Sequence, residues 1–169
     1  PQDTPEDLCA ILGCALTTAM GIIDNEVDLK FGESVAVIGC GGVGLNLIQA
    51  AALKSACPIV AIDCSESKKD LVFTAGASVF AAELKELGDK YDVIIDTTGI
   101  PGVISDAITH LSGKGRMILV GQPAPGRGVE VMNAVNLFSG MGQTIKATQG
   151  GKTDPAEDIP RYVRMHKEG

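Results

Sequence analysis

The stretch Ser34-Val35-Ala36-Val37-Ile38-Gly39-Cys40-Gly41-Gly42-Val43-Gly44 decides the fold. Its first five residues form a short apolar run bounded by glycine, the pattern of a strand buried on both faces. The glycines follow at the spacing GxGxxG. A helical stripe of Val43, Leu47, Ile48 and Ala51 comes directly after them. Alone the spacing is weak, because glycines recur in turns. Between a strand and a helix each glycine has a physical reason to be there. Gly39 allows the tight turn, Gly41 lets backbone approach a pyrophosphate, and Gly44 lets the helix lie close on the sheet. Gly42 and Val43 open the helix, whose free amides and positive dipole end favour phosphate. The plainer reading is a turn without a ligand.

Outward from this turn the chain alternates. Strands are expected over 34–38, 58–63, 78–81, 92–97, 115–121 and 143–148, with helices over 42–54, 66–75, 83–87 and 103–111 and a last helix from Asp154 onward. Before the first strand, Thr4-Pro5-Glu6-Asp7 opens a helix, with Thr4 as cap and Pro5 in the first turn. Gly13 is expected to interrupt it, and a second helical stretch runs over 16–25. Between the fifth and sixth strands lie an extended piece at 129–131 and a helical turn at 134–138. Six apolar strands joined by crossovers predict an α/β chain, a Rossmann-type doubly wound parallel sheet of order 3-2-1-4-5-6. Residues 1–33 then form a helical linker packed on the domain, and 34–169 the dinucleotide-binding domain.

Asp63 ends the second strand, 19 residues after Gly44, where an acid hydrogen-bonds the adenosine ribose hydroxyls. A 2′-phosphate would bring about −1.5 to −2 charges against that carboxylate. No arginine follows; Cys64 and Ser65 do. NAD is favoured over NADP. Lys68 lies one turn on, either at the ribose edge or as a solvated helix lysine. Ligands of such sheets bind beyond the carboxyl ends of the strands. This makes Thr97, Thr98 and Gly99, Val120, Gly121 and Gln122, and Thr148, Gln149 and Gly150 candidates for the nicotinamide half. The same positions also need small or polar residues simply to turn. A methyltransferase using S-adenosylmethionine shares the glycine-rich turn and the acid. Its turn reads more like GxGxG, and no hairpin partner for a sixth strand is evident here.

A net charge of −7 argues against nucleic-acid and anionic-membrane surfaces. No apolar run is read as approaching the roughly 20 residues that span a bilayer, and no secretory leader is seen. The five cysteines, Cys9, Cys14, Cys40, Cys57 and Cys64, show no metal-knuckle spacing and read as reduced thiols of a cytoplasmic protein. The chain opens at Pro1 without methionine and closes inside a helical pattern, so a domain cut from a longer protein is expected.

Leu12-Gly13-Cys14-Ala15-Leu16-Thr17-Thr18-Ala19-Met20-Gly21, followed by the glycine turn, Ile62-Asp63, Gly76-Ala77, the 92–98 stretch and Val120-Gly121, resembles the zinc-dependent medium-chain alcohol dehydrogenases. The resemblance covers essentially the whole chain. It implies a catalytic domain outside this sequence, and a zinc ion there that polarises the alcohol oxygen while hydride passes to nicotinamide. It maps one zinc ligand onto Cys14, a nicotinamide contact onto Thr18, the ribose acid onto Asp63 and a nearby lysine onto Lys68. One thiolate cannot hold zinc firmly, so these residues alone are expected to be metal-poor and inactive. The plainer reading of Cys14 is a small buried thiol. His110 and His166 read as surface residues rather than bases. The family further implies a small-molecule alcohol or polyol substrate and a homodimer joined through strand-6 edges, fed by Val129–Val131, Leu137-Phe138 and the 143–148 strand. Two rivals stay open: the zinc-independent NADPH quinone or enoyl reductase branch, and a non-catalytic nucleotide-binding module.

Overall fold

A computed structural model describes residues 4–88, 90–131, 134–135, 138 and 142–168, with the side chain of Asp7 outside the description. The six strands are β1 (Val35–Ile38), β2 (Ile59–Ile62), β3 (Val79–Ala81), β4 (Tyr91–Asp96), β5 (Leu111–Leu119) and β6 (Thr144–Ala147). They form one sheet of order β3-β2-β1-β4-β5-β6, every pair parallel, as the alternation of elements predicts. β1 lies centrally, with Ala36 beside Val60 on one flank and Ile94 on the other.

Period-two side-chain alternation sends the same strands into two cores. Val35, Val37, Ile59, Ala61, Val93, Ile95 and Ile118 face helices α1 (residues 6–27) and α2 (Gly42–Leu53), together with Val72 of α3 (Lys69–Thr74). Ala36, Ile38, Val60, Ile62, Ile94 and Met117 face the other way, onto Ile104, Ala107 and Ile108 of α4 (Pro101–Ile108). α2 carries two glycines, Gly42 and Gly44, both in its first turn, where helix propensity is low. Leu47 and Ile48 are wholly buried, and each buried aliphatic side chain contributes about 1.5–3 kcal/mol. Packing outweighs propensity, and the helix stands.

α1 departs from expectation. It runs unbroken through Gly13, as Glu6–Ile11, a π-helical Leu12–Leu16, Thr17–Gly21 and a second π-helical Ile22–Val27. Leu8, Leu12 and Leu16 lie on Tyr162 and Val163 of α5 (Pro155–Glu168), and Ala19, Ile22, Ile23 and Val27 lie on the sheet. This burial carries the helix across the glycine. Pro5, not Thr4, holds the N-cap position, without a side-chain cap hydrogen bond. Among the described residues Leu8–Val27 is therefore one helix long and apolar enough, by length and composition, to cross a membrane. That corrects the expectation of no such run. Within the fold 44% of its most apolar 18-residue window is buried.

β5 begins at Leu111 rather than at Gly115: Leu111 pairs with Tyr91 and Arg116 with Val93, so the register shifts between them. Gly115 fits there beside Tyr91: a Cβ would lie 3.0 Å from the Tyr91 carbonyl oxygen. The 129–131 piece forms no strand, and the helical turn expected over 134–138 falls partly outside the described residues.

The amino ends of β1, β4 and β5 are joined by Asp92. Its Oδ2 accepts from the Ser34 amide at 3.0 Å and the Ser34 hydroxyl at 2.8 Å, and its Oδ1 from the Ser112 hydroxyl at 3.1 Å. Burial pushes the carboxyl up, but those donors and Arg116 outweigh it and hold it below its ordinary value. A depressed folded value means stabilisation that is present above the unfolded pKa of about 3.9 and lost as pH falls through the folded one. Asp92→Asn should cost about 1–3 kcal/mol in urea unfolding at pH 7. The gap between variant and parent should narrow below about pH 4. A gap that does not change with pH would refute this account of Asp92.

Candidate functional site

The site lies at the carboxyl ends of β1, β2 and β4. β1 leaves the sheet at Gly39, whose φ of +87° belongs to the left-handed region that glycine enters without cost. A Cβ on Gly39 would sit 2.4 Å from the Thr97 hydroxyl oxygen. Gly44 is tighter still, since a Cβ there would lie 1.9 Å from the Gly39 carbonyl oxygen. Gly41 and Gly42 are the reverse case. They are exposed, and a Cβ on either meets no atom within 4 Å. The turn is thus closed beneath and open above, where the α2 N-terminus begins. Val43 is half-buried against the core.

Asp63 stands beside this opening at the end of β2, 8% exposed. Its Oδ2 accepts from the Cys40 amide at 2.7 Å, within the turn itself, and from Lys68 Nζ at 2.7 Å. Its Oδ1 accepts from the Ser65 amide at 2.9 Å. Burial raises the carboxyl, but Lys68 and the two amides overcome it and hold it below the usual carboxylate range. Lys68 is correspondingly pushed up by its bond to Asp63. A carboxylate has about four acceptor positions, so one remains for a hydroxyl. Burial lifts the Cys40 thiol to about 11, reinforced by the Asp63 charge, and it stays protonated at neutral pH.

β4 supplies a second acid, Asp96, which no motif in the sequence marks. It is wholly buried. Its Oδ1 accepts from the Thr98 hydroxyl at 2.6 Å and its Oδ2 from the Gly99 amide at 2.9 Å. Its backbone carbonyl takes the amides of Val120 and Gly121. One residue thereby shapes both the β4 and β5 ends. Thr97 turns its hydroxyl onto the Ile38 carbonyl at 3.0 Å and the Gly39 carbonyl at 2.9 Å. The hydroxyls of Thr97 and Thr98 thus brace the frame. Val120 is half-buried, Gln122 is exposed, and a Cβ on Gly99 would lie 2.6 Å from the Gln122 carbonyl oxygen.

Cys14 and Thr18 lie on α1 rather than on the sheet. Thr18 is half-buried, and its carbonyl lies close to Gly151, just beyond β6. Cys14 is exposed, which corrects the reading of a buried thiol. No group of three or more histidines, cysteines or acids that could hold a metal ion occurs among the described residues. The described residues alone do not supply the three or four protein ligands that a zinc site needs. His166 is exposed and His110 half-buried.

A family model described as zinc-binding dehydrogenase matches residues 42–168. The chain belongs to that family. Within it the chain corresponds to the cofactor-binding domain of the medium-chain alcohol dehydrogenases. It is similar to the geraniol dehydrogenase of Castellaniella defragrans, 32% identical over 99% of this chain and 47% of the relative. An S-(hydroxymethyl)glutathione dehydrogenase of Saccharomyces cerevisiae is also 32% identical, over 72% of the chain and 36% of the relative. The crystal structure of benzyl alcohol dehydrogenase from Acinetobacter calcoaceticus superposes with a TM-score of 0.91 at 26% identity, covering 100% of this chain and 48% of that one. The chain thus spans about half, or less, of the length of these relatives.

The family's glycine turn can be probed directly. Gly44→Ala should lower stability by about 1–3 kcal/mol or more, because the added carbon meets backbone that cannot move aside. Gly42→Ala should leave it unchanged within about 1 kcal/mol. Urea unfolding midpoints measure both, and a Gly44→Ala chain as stable as its parent would contradict the close approach.

Proposed function

We propose that this chain is the NAD(H)-binding domain of a zinc-dependent alcohol or polyol dehydrogenase. The observation that carries the reading is the open volume above Gly41 and Gly42, with Asp63 at its edge. In this reading the amides at the α2 N-terminus receive the pyrophosphate. The free acceptor position of Asp63 takes a ribose hydroxyl, and Lys68 holds the carboxylate charged beside it. Thr18, Val120 and Gln122 border the nicotinamide half. A bound nicotinamide supplies the hydride chemistry, and the chain supplies position and exclusion of the wrong geometry. Cys14 offers one thiolate toward zinc; the other ligands, and the alcohol pocket, belong to residues outside these 169. This division treats residues 1–33 as the helical linker and 34–169 as the binding domain. Five free cysteines suit a cytoplasmic setting.

The preference for NAD over NADP follows from charge. A 2′-phosphate carrying about −1.5 to −2 would approach an ionised, buried-edge carboxylate. Calorimetric titration should show NAD binding at least about tenfold tighter than NADP. Asp63→Asn keeps an acceptor and removes the charge, so it should narrow that ratio. Gly41→Ala should fold normally yet lose most NAD affinity, because its methyl fills the open volume. Equal affinity of the unaltered chain for both dinucleotides would sink the assignment to Asp63.

We further propose a homodimer that pairs two β6 edges into a continuous sheet. β6 is largely exposed, and Ile145, Val131, Val135 and Phe138 present apolar surface near it in sequence. An uncovered edge of this kind is prone to pairing. Sedimentation at tens of micromolar, an order-of-magnitude choice, should find the dimer. A monomer there would count against it.

A further inference from the structure

Three consecutive residues near the end of α1 each reach two partners far along the chain. The widened turn of the π-helical Ile22–Val27 segment sets them apart. Asp24 pairs with Lys54 Nζ at 2.5 Å, after α2, and with Arg161 of α5 at 3.0 Å. Asn25 donates from Nδ2 to the carbonyls of Gly151 and Lys152, each at 3.2 Å. Glu26 has a side chain only 2% exposed. Its carboxylate is paired with Lys146 of β6, and its Oε1 accepts from the Thr148 hydroxyl at 3.1 Å.

A buried carboxylate is an expensive way to dock a helix on a strand, which apolar side chains would do as well. What it adds is register. Glu26 and Asn25 together grip residues 146–152, the whole carboxyl end of β6 and the turn beyond it. That turn holds Gly150, Gly151 and Lys152 at φ of +77°, +67° and +53°. Lys152 is not a glycine, and such a conformation persists only where its surroundings fix it. Gly151 also lies close against α1, where a Cβ would meet the Thr18 carbonyl oxygen and the Ile22 amide nitrogen, each at 2.6 Å.

We propose that Glu26, assisted by Asn25, is a positioning residue that fixes the Thr148–Gly150 end of β6 against the helix carrying Thr18, and thereby fixes the nicotinamide half of the bound dinucleotide. This rests on the dinucleotide reading given above. The two halves of the site are then set by separate devices. Asp63 and the glycine turn hold the adenosine side, and the Glu26 clasp holds the other side from outside the ligand. Glu26 touches no reacting atom in this scheme and acts only through Thr148 and Lys146.

The test compares NADH with ADP-ribose, which lacks the nicotinamide, on this chain. Unaltered, it should bind NADH more tightly than ADP-ribose. Glu26→Gln keeps the shape and one acceptor but loses the charge that holds Lys146. It should weaken NADH about tenfold while ADP-ribose stays within about twofold. Asn25→Ala, a change at an exposed side chain, should move the same ratio in the same direction without threatening the fold. Parallel losses for both ligands would reduce Glu26 to general structural support and overturn the proposal. So would unchanged ratios in both variants, or equal affinities for the two ligands in the unaltered chain. Failure of ADP-ribose to bind the unaltered chain would instead bring down the dinucleotide reading itself, and this inference with it.

Discussion

Gly44 and the Gly39 carbonyl approach so closely that no side chain fits between them, and much of the molecule is arranged around that contact. It sets the first turn of α2 directly on the end of β1. From there the helix can only run back along the sheet, where Leu47 and Ile48 find their places beneath Val35 and Val37. The same contact aims the free amides at the helix start outward, over Gly41 and Gly42. Sheet packing and the opening above the turn are therefore two results of one backbone approach. Among the described residues no atom lies within 4 Å of a Cβ on Gly41 or Gly42, and that opening is as much a product of the glycines as the contact below.

Around this centre the acids are divided by depth. Asp63 sits at the rim, with three donors and one free acceptor position. Asp96 is fully enclosed and serves the loops after β4 and β5. Asp92 joins strand beginnings at the far end of the sheet. Asp92 and Asp96 are held by amides and hydroxyls, and Asp63 by two amides and Lys68. The threonines after β4 do the corresponding work for carbonyls, so the frame around the opening is satisfied before any ligand arrives.

The sheet order was legible because a parallel sheet covered on both faces writes each strand as an unbroken apolar run, and the 34–44 stretch gives the first turn outright. Asp63 was legible for a related reason: it stands where a strand ends, a fixed distance after the turn. Other features leave no local trace. The continuity of α1 through Gly13 depends on Tyr162 and Val163, nearly 150 positions away. The early start of β5 depends on how Gly115 fits against Tyr91. Asp96 belongs to no periodic pattern, and the direction of the Thr97 hydroxyl is set by carbonyls some 59 residues back along the chain. Residues that act on a neighbouring loop, rather than on their own element, are the ones a linear reading passes over.

The bond from Asp63 to the Cys40 amide has a consequence for how such a domain can change over generations. In the proposed reading, the residue that discriminates between dinucleotides also holds the turn that receives either of them. On that reading, a lineage that exchanged this acid for a residue without a side-chain acceptor would alter its preference and loosen its turn in the same step. Drift toward the phosphorylated coenzyme is thereby discouraged unless another acceptor for that amide is in place first. Selectivity here is inherited together with foldedness, and the order in which substitutions can accumulate is constrained accordingly.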